Sequence, residues 1–231
     1  MLRCSARLGL RGIPRESEEI VLARDLHLVR LTGARYHAAH LSSAGSVAQI
    51  RAARAEGLQV SAEVSPYHLL FTEAELAGYD PNYKLSPPLR AERDRDALRQ
   101  GVADGAIQCV VSDHRPLSGL EKDGDFKGAD PGAIGLELTV PAILRLIGEG
   151  ILEPMHLPQL LFAGPARIAR LAAQGLREGA PANLTAVNPT LRWTITPEAL
   201  RSRSHNTPLL GLEVEGGVTL TVVDGKPIHQ R

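Results

Sequence analysis

Cysteine is nearly absent: Cys4 and Cys109 are the two in 231 residues. Two distant thiols make neither a disulfide framework nor a zinc ribbon, and they read as unpaired thiols of a reducing compartment. A basic excess is also lacking. Lys plus Arg is 26 and Asp plus Glu is 26, so the electrostatic footprint of a dedicated nucleic-acid binder is not there. No apolar run approaches the roughly 20 residues of a membrane span. The longest, around Val140–Ile147, is interrupted by Pro141 and Arg145. The basic stretch Met1–Arg15 has no continuous apolar core, which argues against a secretory signal and makes the cytoplasm the expected location. Lysine itself is scarce, limited to Lys84, Lys122, Lys127 and Lys226, a bias we assign to coding composition. Gly-x-Ser-x-Gly, the Gly-rich phosphate loops, His-Glu-x-x-His and His-x-His are all absent, which removes the commonest motif-borne nucleophile, nucleotide and metalloprotease chemistries.

What is present suits a folded α/β protein. Hydrophobic residues make up 43% and charged residues 23%, enough apolar surface for a core and too little charge for disorder. Pro14 suits the first position of a helix, with Glu16, Glu18 and Glu19 at its positive end and Gly33 closing it. Arg35–Leu41 follows as a buried strand. A second helix over Ala44–Glu56 leads to a strand at Leu58–Val64, and a third over Glu92–Val102 leads to a strand at Ile107–Ser112. This alternation predicts parallel βαβ units, with strands apolar on both faces. Helices are expected over Gly135–Gly148 and Leu157–Ala173. Beyond Gly175, short strands at Leu184–Val187, Arg192–Ile195, Leu212–Val214 and Val218–Val223 predict a small β-rich region.

Polar clusters stand at or just beyond the three strand ends: His37-x-x-His40-Leu41-Ser42, Glu63-Val64-Ser65-Pro66-Tyr67-His68, and Ser112-Asp113-His114-Arg115-Pro116. Parallel α/β barrels build their active sites at that end. His40 and Asp113 offer the imidazole and carboxylate that hydrolytic zinc uses, but two ligands are too few for a catalytic ion. His37 and His40, three apart on a strand, are expected to face opposite sides and not to chelate together. Cys109 reads as a core residue. The segment Lys84–Arg90, stiffened by Pro87 and Pro88, suits presentation of Ser86 or Arg90 to a ligand, or an ordinary turn.

The ordered set GLRGIPRESEE (9–19), AHLSSAGSV (39–47), AEVSPYHLLFT (62–72), KLSPPLR (84–90), DGAIQCVVSDHRP (104–116), GADPGAIGLEL (128–138) and SRSHNTPLLG (202–211) resembles the dihydroorotases of the cyclic amidohydrolase group. The resemblance covers nearly the whole chain. It implies a metal-dependent (β/α)8 barrel, about three of whose strands lie in residues 1–175, flanked by a β-rich subdomain over residues 176–231. It further implies zinc-assisted opening of dihydroorotate, a cyclic amide, to N-carbamoyl-aspartate in pyrimidine synthesis. On this pattern His40 and Asp113 are metal ligands, Asp113 also shuttles the proton, and Ser86, Pro131 and Gly132 meet the substrate.

Departures accompany the resemblance. The family's His-x-His pair and further ligands precede the Gly-Ile-Pro segment with which this chain begins, so a C-terminal portion is expected. Open barrel edges then predict poor solubility or a complementary N-terminal half. Ser86 stands where the family has Asn, and Leu117 where it has a second His. Tyr67 replaces a His. Two alternatives stay open: a non-catalytic subunit partnering aspartate transcarbamoylase, and a hydrolase of hydantoin or allantoin.

Overall fold

Glu16, Glu18 and Glu19 occupy the first turn of a 17-residue helix, where carboxylates meet the positive end of the helix dipole. The computed structural model describes residues 2–172 and 175–231. A short helix α1 (Leu2–Arg7) precedes this long one, α2 (Glu16–Thr32), which Gly33 closes in a left-handed conformation. Pro14 lies ahead of the capping residue Arg15 rather than in the first turn. Its carbonyl accepts the Ser17 hydroxyl at 2.6 Å.

Strand and helix then alternate as expected, over shorter spans. β1 (Tyr36–Ala38) leads to α3 (Ala44–Ala55), whose cap Ser43 accepts a hydrogen bond from the Ser46 amide. β2 (Val60–Val64) runs into α4 (Pro66–Leu70), and α5 (Glu92–Ala103) precedes β3 (Cys109–Val110). The three strands form a parallel sheet in the order β1-β2-β3. Its pairs include His37 with Ser61 and Glu63 with Cys109. The expected strands at Arg35–Leu41 and Ile107–Ser112 end early because the chain leaves the extended conformation near His40 and Asp113.

The sheet departs from the expectation of two apolar faces. Side chains alternate along a strand, and in β2 Val60, Ala62 and Val64 are buried while Ser61 and Glu63 are half-buried. Val60, Ala62, Val64, Ala38 and Val110 join Leu22, Leu26, Val47, Ile50, Leu98 and Val102 of α2, α3 and α5 in one core. The opposite face carries His37, Ser61, Glu63 and Cys109, which register brings together.

After a capping-boxed turn α6 (Gly119–Lys122), helix α7 (Thr139–Gly148) begins four residues later than expected. Residues 135–138 instead form a turn in which the Gly135 carbonyl accepts the Leu138 and Thr139 amides. The continuous helix expected over Leu157–Ala173 is broken into α8 (His156–Pro158), a π-helical turn (Gln159–Ala163) and α9 (Gly164–Ala169). It ends at the left-handed Arg170; the expected end at Ala173 lies outside the described residues. The last part is an antiparallel sheet of β4 (Leu184–Thr194), β5 (Glu213–Val223) and β6 (Lys226–Gln230), in that order. Two pairs of expected short strands are merged here. A register shift between Asn188 and Arg192 absorbs Pro189 within one strand, since proline cannot serve the ladder.

Candidate functional site

Two residues at the C-terminal ends of the parallel strands have unusual backbones. His40 has φ 52° and Asp113 has φ 45°. Among the described residues, only Tyr79, Arg170 and Asp224 share this left-handed region without being glycine. A non-glycine residue there is held against its intrinsic preference by its surroundings.

The turn at His40 changes what the sequence pattern implied. His37 lies within β1, but His40 lies beyond its end, so the alternation rule does not govern the pair. Both rings reach the same carboxylate. His37 Nε2 is 3.0 Å from Glu63 Oε2, and His40 Nδ1 is 3.4 Å from Glu63 Oε1. Glu63 is half-buried; burial pushes its carboxyl up, but the His37 hydrogen bond and the two imidazoles outweigh this and hold it below the ordinary value. An ionised Glu63 accepts the His37 Nε2 proton. Nδ1 of the same ring then accepts the Ser61 hydroxyl at 2.8 Å. Glu63 was legible as part of a strand-end cluster, but the sequence assigned it no role. Its register with Cys109 and the return of His40 are three-dimensional facts.

The loop carrying His40 is clamped from behind. Glu18 Oε1 accepts the Ser42 amide at 3.0 Å and the Ser43 amide at 3.2 Å, and its other oxygen accepts the Ser42 hydroxyl. Asp94 accepts the Ala44 amide at 3.0 Å. Two carboxylates thus serve the unpaired amides at the start of α3. The buried Arg90 donates its Nε to Ser42 Oγ at 3.0 Å and a terminal nitrogen to the Ile13 carbonyl. Its place is therefore behind the loop. Arg90 is 4% exposed and these bonds give it a structural partner set, so the Lys84–Arg90 segment offers little of the Arg90 side chain to a ligand.

Ser86 is exposed and lines an open cleft of about 460 Å³ together with His40, Glu18, Tyr36, Pro87 and Arg90. The loop is fixed by His68, which is 2% exposed. Its Nε2 donates to the Pro87 carbonyl at 3.0 Å, and its Nδ1 accepts the Ser65 hydroxyl at 2.9 Å. Burial, only partly offset by the Pro87 carbonyl, lowers the His68 pKa. The folded state therefore binds fewer protons than the unfolded chain just below the ordinary value of about 6.5, and stability present above that pH is lost as pH falls. We predict that thermal stability drops below pH 6.5 by at most about 1.4 kcal/mol per pH unit from this group. Melting curves at pH 7.5 and 5.5 for wild type and His68→Gln check this; an equal pH dependence in both would contradict it.

Asp113 follows β3, near enough to Tyr67 and His68 to act on both electrostatically. Among the described residues no hydrogen bond or ion pair joins it to His40. Its neighbours are locked in place. His114 Nδ1 accepts the Gly135 amide at 3.1 Å. Asn206, buried, takes the Leu117 amide at 3.1 Å and donates to the carbonyls of Arg115 and Gly132. The Tyr67 hydroxyl donates to the Ile134 carbonyl and meets Thr207 Oγ1 at 3.0 Å. Leu117 is buried and so presents no side chain to solvent. Gly132 is buried with φ 138°, where a Cβ would strike the Arg115 side chain. Its amide is taken by the Lys84 carbonyl at 2.8 Å. The structure thus joins the 131–132 loop to the Ser86 loop through Lys84, and places His40 and Ser86 on one cleft.

Comparison with known proteins gives this arrangement a context. The chain is 42% identical over 228 residues to the dihydroorotase of Anaeromyxobacter dehalogenans strain 2CP-C, covering 98% of this chain and 53% of that protein. It is 44% identical over 225 residues to the dihydroorotase of Mycobacterium tuberculosis strain H37Rv, with 96% and 52% covered. The chain is similar in sequence to these curated dihydroorotases over nearly its whole length. It spans about half the length of the curated dihydroorotases it matches. Among solved structures, the L-hydantoinase (dihydropyrimidinase) from Arthrobacter aurescens matches with a TM-score of 0.88 at 27% identity, over 94% of this chain and 49% of that one. The dihydropyrimidinase from Brevibacillus agri NCHU1002 matches with a TM-score of 0.83 at 25% identity, over 94% and 49%. Dihydroorotase-like sequence thus stands on an α/β fold with two sheets shared with hydantoinases. No family model matches the chain.

Proposed function

We infer that this chain forms part of a metal-dependent cyclic amidohydrolase that opens dihydroorotate to N-carbamoyl-aspartate. Residues 1–175 are its share of a (β/α)8 barrel, and residues 176–231 are a flanking β-rich subdomain. The observation that carries this reading is the left-handed backbone at both His40 and Asp113, each at the C-terminal end of a parallel strand, in a chain similar in sequence to dihydroorotases.

His40 and Asp113 are the residues that would hold the ion, with zinc favoured by an imidazole and carboxylate donor set. The chain's own atoms fit that role. His40 Nδ1 is buried and, although 3.4 Å from Glu63 Oε1, makes no hydrogen bond among the described residues, which leaves that ring nitrogen open to a ligand. When bound, zinc would polarise the amide carbonyl and lower the pKa of water. Further ligands are assigned to the remainder of the enzyme, because three protein ligands are the usual minimum.

Asp113 carries the proton. Its carboxylate accepts a proton from the attacking water as the new C–O bond forms. It returns that proton to the ring nitrogen as the C–N bond breaks, giving a ureido group and a carboxylic acid that loses water's second proton to solvent as a carboxylate. The Ser86 hydroxyl and the Pro131 carbonyl are assigned to the substrate, and Gly132 holds the second of these loops in position. The outer edges of β1 and β3 have no strand partner among the described residues. Ile20, Leu28 and Leu31 of α2 are exposed apolar side chains. We assign both to contact with the rest of the barrel.

The test is steady-state turnover of dihydroorotate by the chain in its native assembly. Asp113→Asn is expected to lose about 10²–10⁴-fold in kcat, whereas Ser86→Ala raises KM more than it lowers kcat. Retention of activity within a few-fold in Asp113→Asn would overturn the assignment.

A further inference from the structure

The polar face of the parallel sheet holds a second group of ligand types, one layer inside the strand ends. His37 Nε2, a Glu63 carboxylate oxygen and Cys109 Sγ all lie within 4.8 Å of one another. His37 Nε2 and Glu63 Oε2 are 3.0 Å apart, and Cys109 Sγ is 4.0 Å from the same oxygen. Zinc with N, O and S ligands at ordinary bond lengths places neighbouring donor atoms roughly 3.3–3.6 Å apart in a tetrahedron. The two separations that involve Glu63 bracket that range, and the third lies within 4.8 Å.

We propose that His37, Glu63 and Cys109 form a thiolate-containing metal site for zinc or a similar borderline-soft divalent ion, using ligands other than His40 and Asp113 although Glu63 Oε1 also lies 3.4 Å from His40 Nδ1. Three protein ligands leave one coordination position, and the half-exposed His37 side opens it to water.

The surroundings supply what such a site needs. A metal-bound histidine donates its other ring N–H to a fixed partner. Ser61 Oγ is already 2.8 Å from His37 Nδ1, and the Tyr36 carbonyl lies 3.5 Å from that hydroxyl. In the ion-free state Nε2 carries the proton and Ser61 donates to Nδ1. With the ion bound the proton sits on Nδ1, Ser61 accepts it, and the Ser61 hydroxyl turns to the Tyr36 carbonyl. Glu63 is ionised at neutral pH and needs no proton change. Without an ion, burial and the adjacent Glu63 carboxylate push the Cys109 thiol up to about 12. A bound cation reverses this, because a coordinating thiol is deprotonated. Loading therefore moves one proton within His37 and releases one proton, from Cys109, to the buffer.

Cobalt(II) alone, added to the reduced purified chain, tests the proposal. A thiolate-to-cobalt charge-transfer band in the near ultraviolet is expected for wild type and for Asp113→Ala, and not for Cys109→Ser. Competition with zinc is expected to show affinity at least about 100-fold lower in Cys109→Ser, and about 10–100-fold lower in Ser61→Ala, which keeps all three ligands. Circular dichroism confirms that each variant is folded. No charge-transfer band in wild type, or equal zinc affinity in wild type and Cys109→Ser, would overturn the proposal. Loss of the band in Asp113→Ala would overturn its separateness from the strand-end pair. Dihydroorotate turnover does not enter this readout, so the failure of either assignment leaves the other standing.

Discussion

Replacing Arg90 with alanine is expected to cost about 3–5 kcal/mol of folding stability, the range for removing one partner of a buried charge pair. Arg90 is 4% exposed and ties its own segment to two others that are distant in sequence, residues 13–18 and Ser42. It reaches the Ile13 carbonyl ahead of α2, the Ser42 hydroxyl after β1, and Glu18, whose Oε2 is 3.9 Å from a terminal nitrogen. Without it the Glu18 carboxylate faces a half-buried cavity with no cation behind it, and the loop carrying His40 loses its backing. Burial lowers the Arg90 pKa, and the surrounding Glu18 and Asp94 charges oppose this, so the guanidinium stays charged. Arg90→Lys is expected to recover little, since one ammonium cannot serve three directions as a planar fork does. Urea titrations of the three proteins check this. A midpoint for Arg90→Ala within error of wild type would contradict it.

Gly135→Ala is expected to damage fold and site together. A Cβ at this position would lie 1.9 Å from the Ser112 carbonyl oxygen. That oxygen belongs to backbone, so no side-chain rotation relieves the overlap, and the chain must shift. The cost is put at about 3 kcal/mol, the upper part of the range for overpacking. The segment pushed is the one that presents Asp113, and the Gly135 amide also anchors His114. A displacement near 1 Å at a catalytic group costs about 10²-fold in rate. Turnover and unfolding should therefore fall together in Gly135→Ala. A variant with wild-type turnover and midpoint would show that Ser112 yields freely.

The alternation of helices and strands was legible because periodic apolar residues and end signals such as the Glu16–Glu19 turn and Gly33 are local. The strand ends were misplaced by two or three residues, since the left-handed turns at His40 and Asp113 come from tertiary contacts of non-glycine residues. Nothing in the local sequence marks them. The helix expected beyond Leu157 breaks into α, π and α turns, with Pro158 and Gly164 inside the run. The sequence offers His40, Ser86 and Asp113 as candidates by residue type, at strand ends and in a proline-stiffened loop. Cys109 reads as a core residue from the sequence and is buried in the structure. The β2–β3 register adds that it pairs with Glu63, which local sequence does not show.

The most direct test of the account is hydrolysis of dihydroorotate and of an unsubstituted hydantoin, measured side by side on the chain in its native assembly. The account predicts a kcat/KM for dihydroorotate at least about 10²-fold higher, the discrimination expected of a site that hydrogen-bonds groups the other ring lacks. A preference for the hydantoin, or turnover of neither, would contradict it.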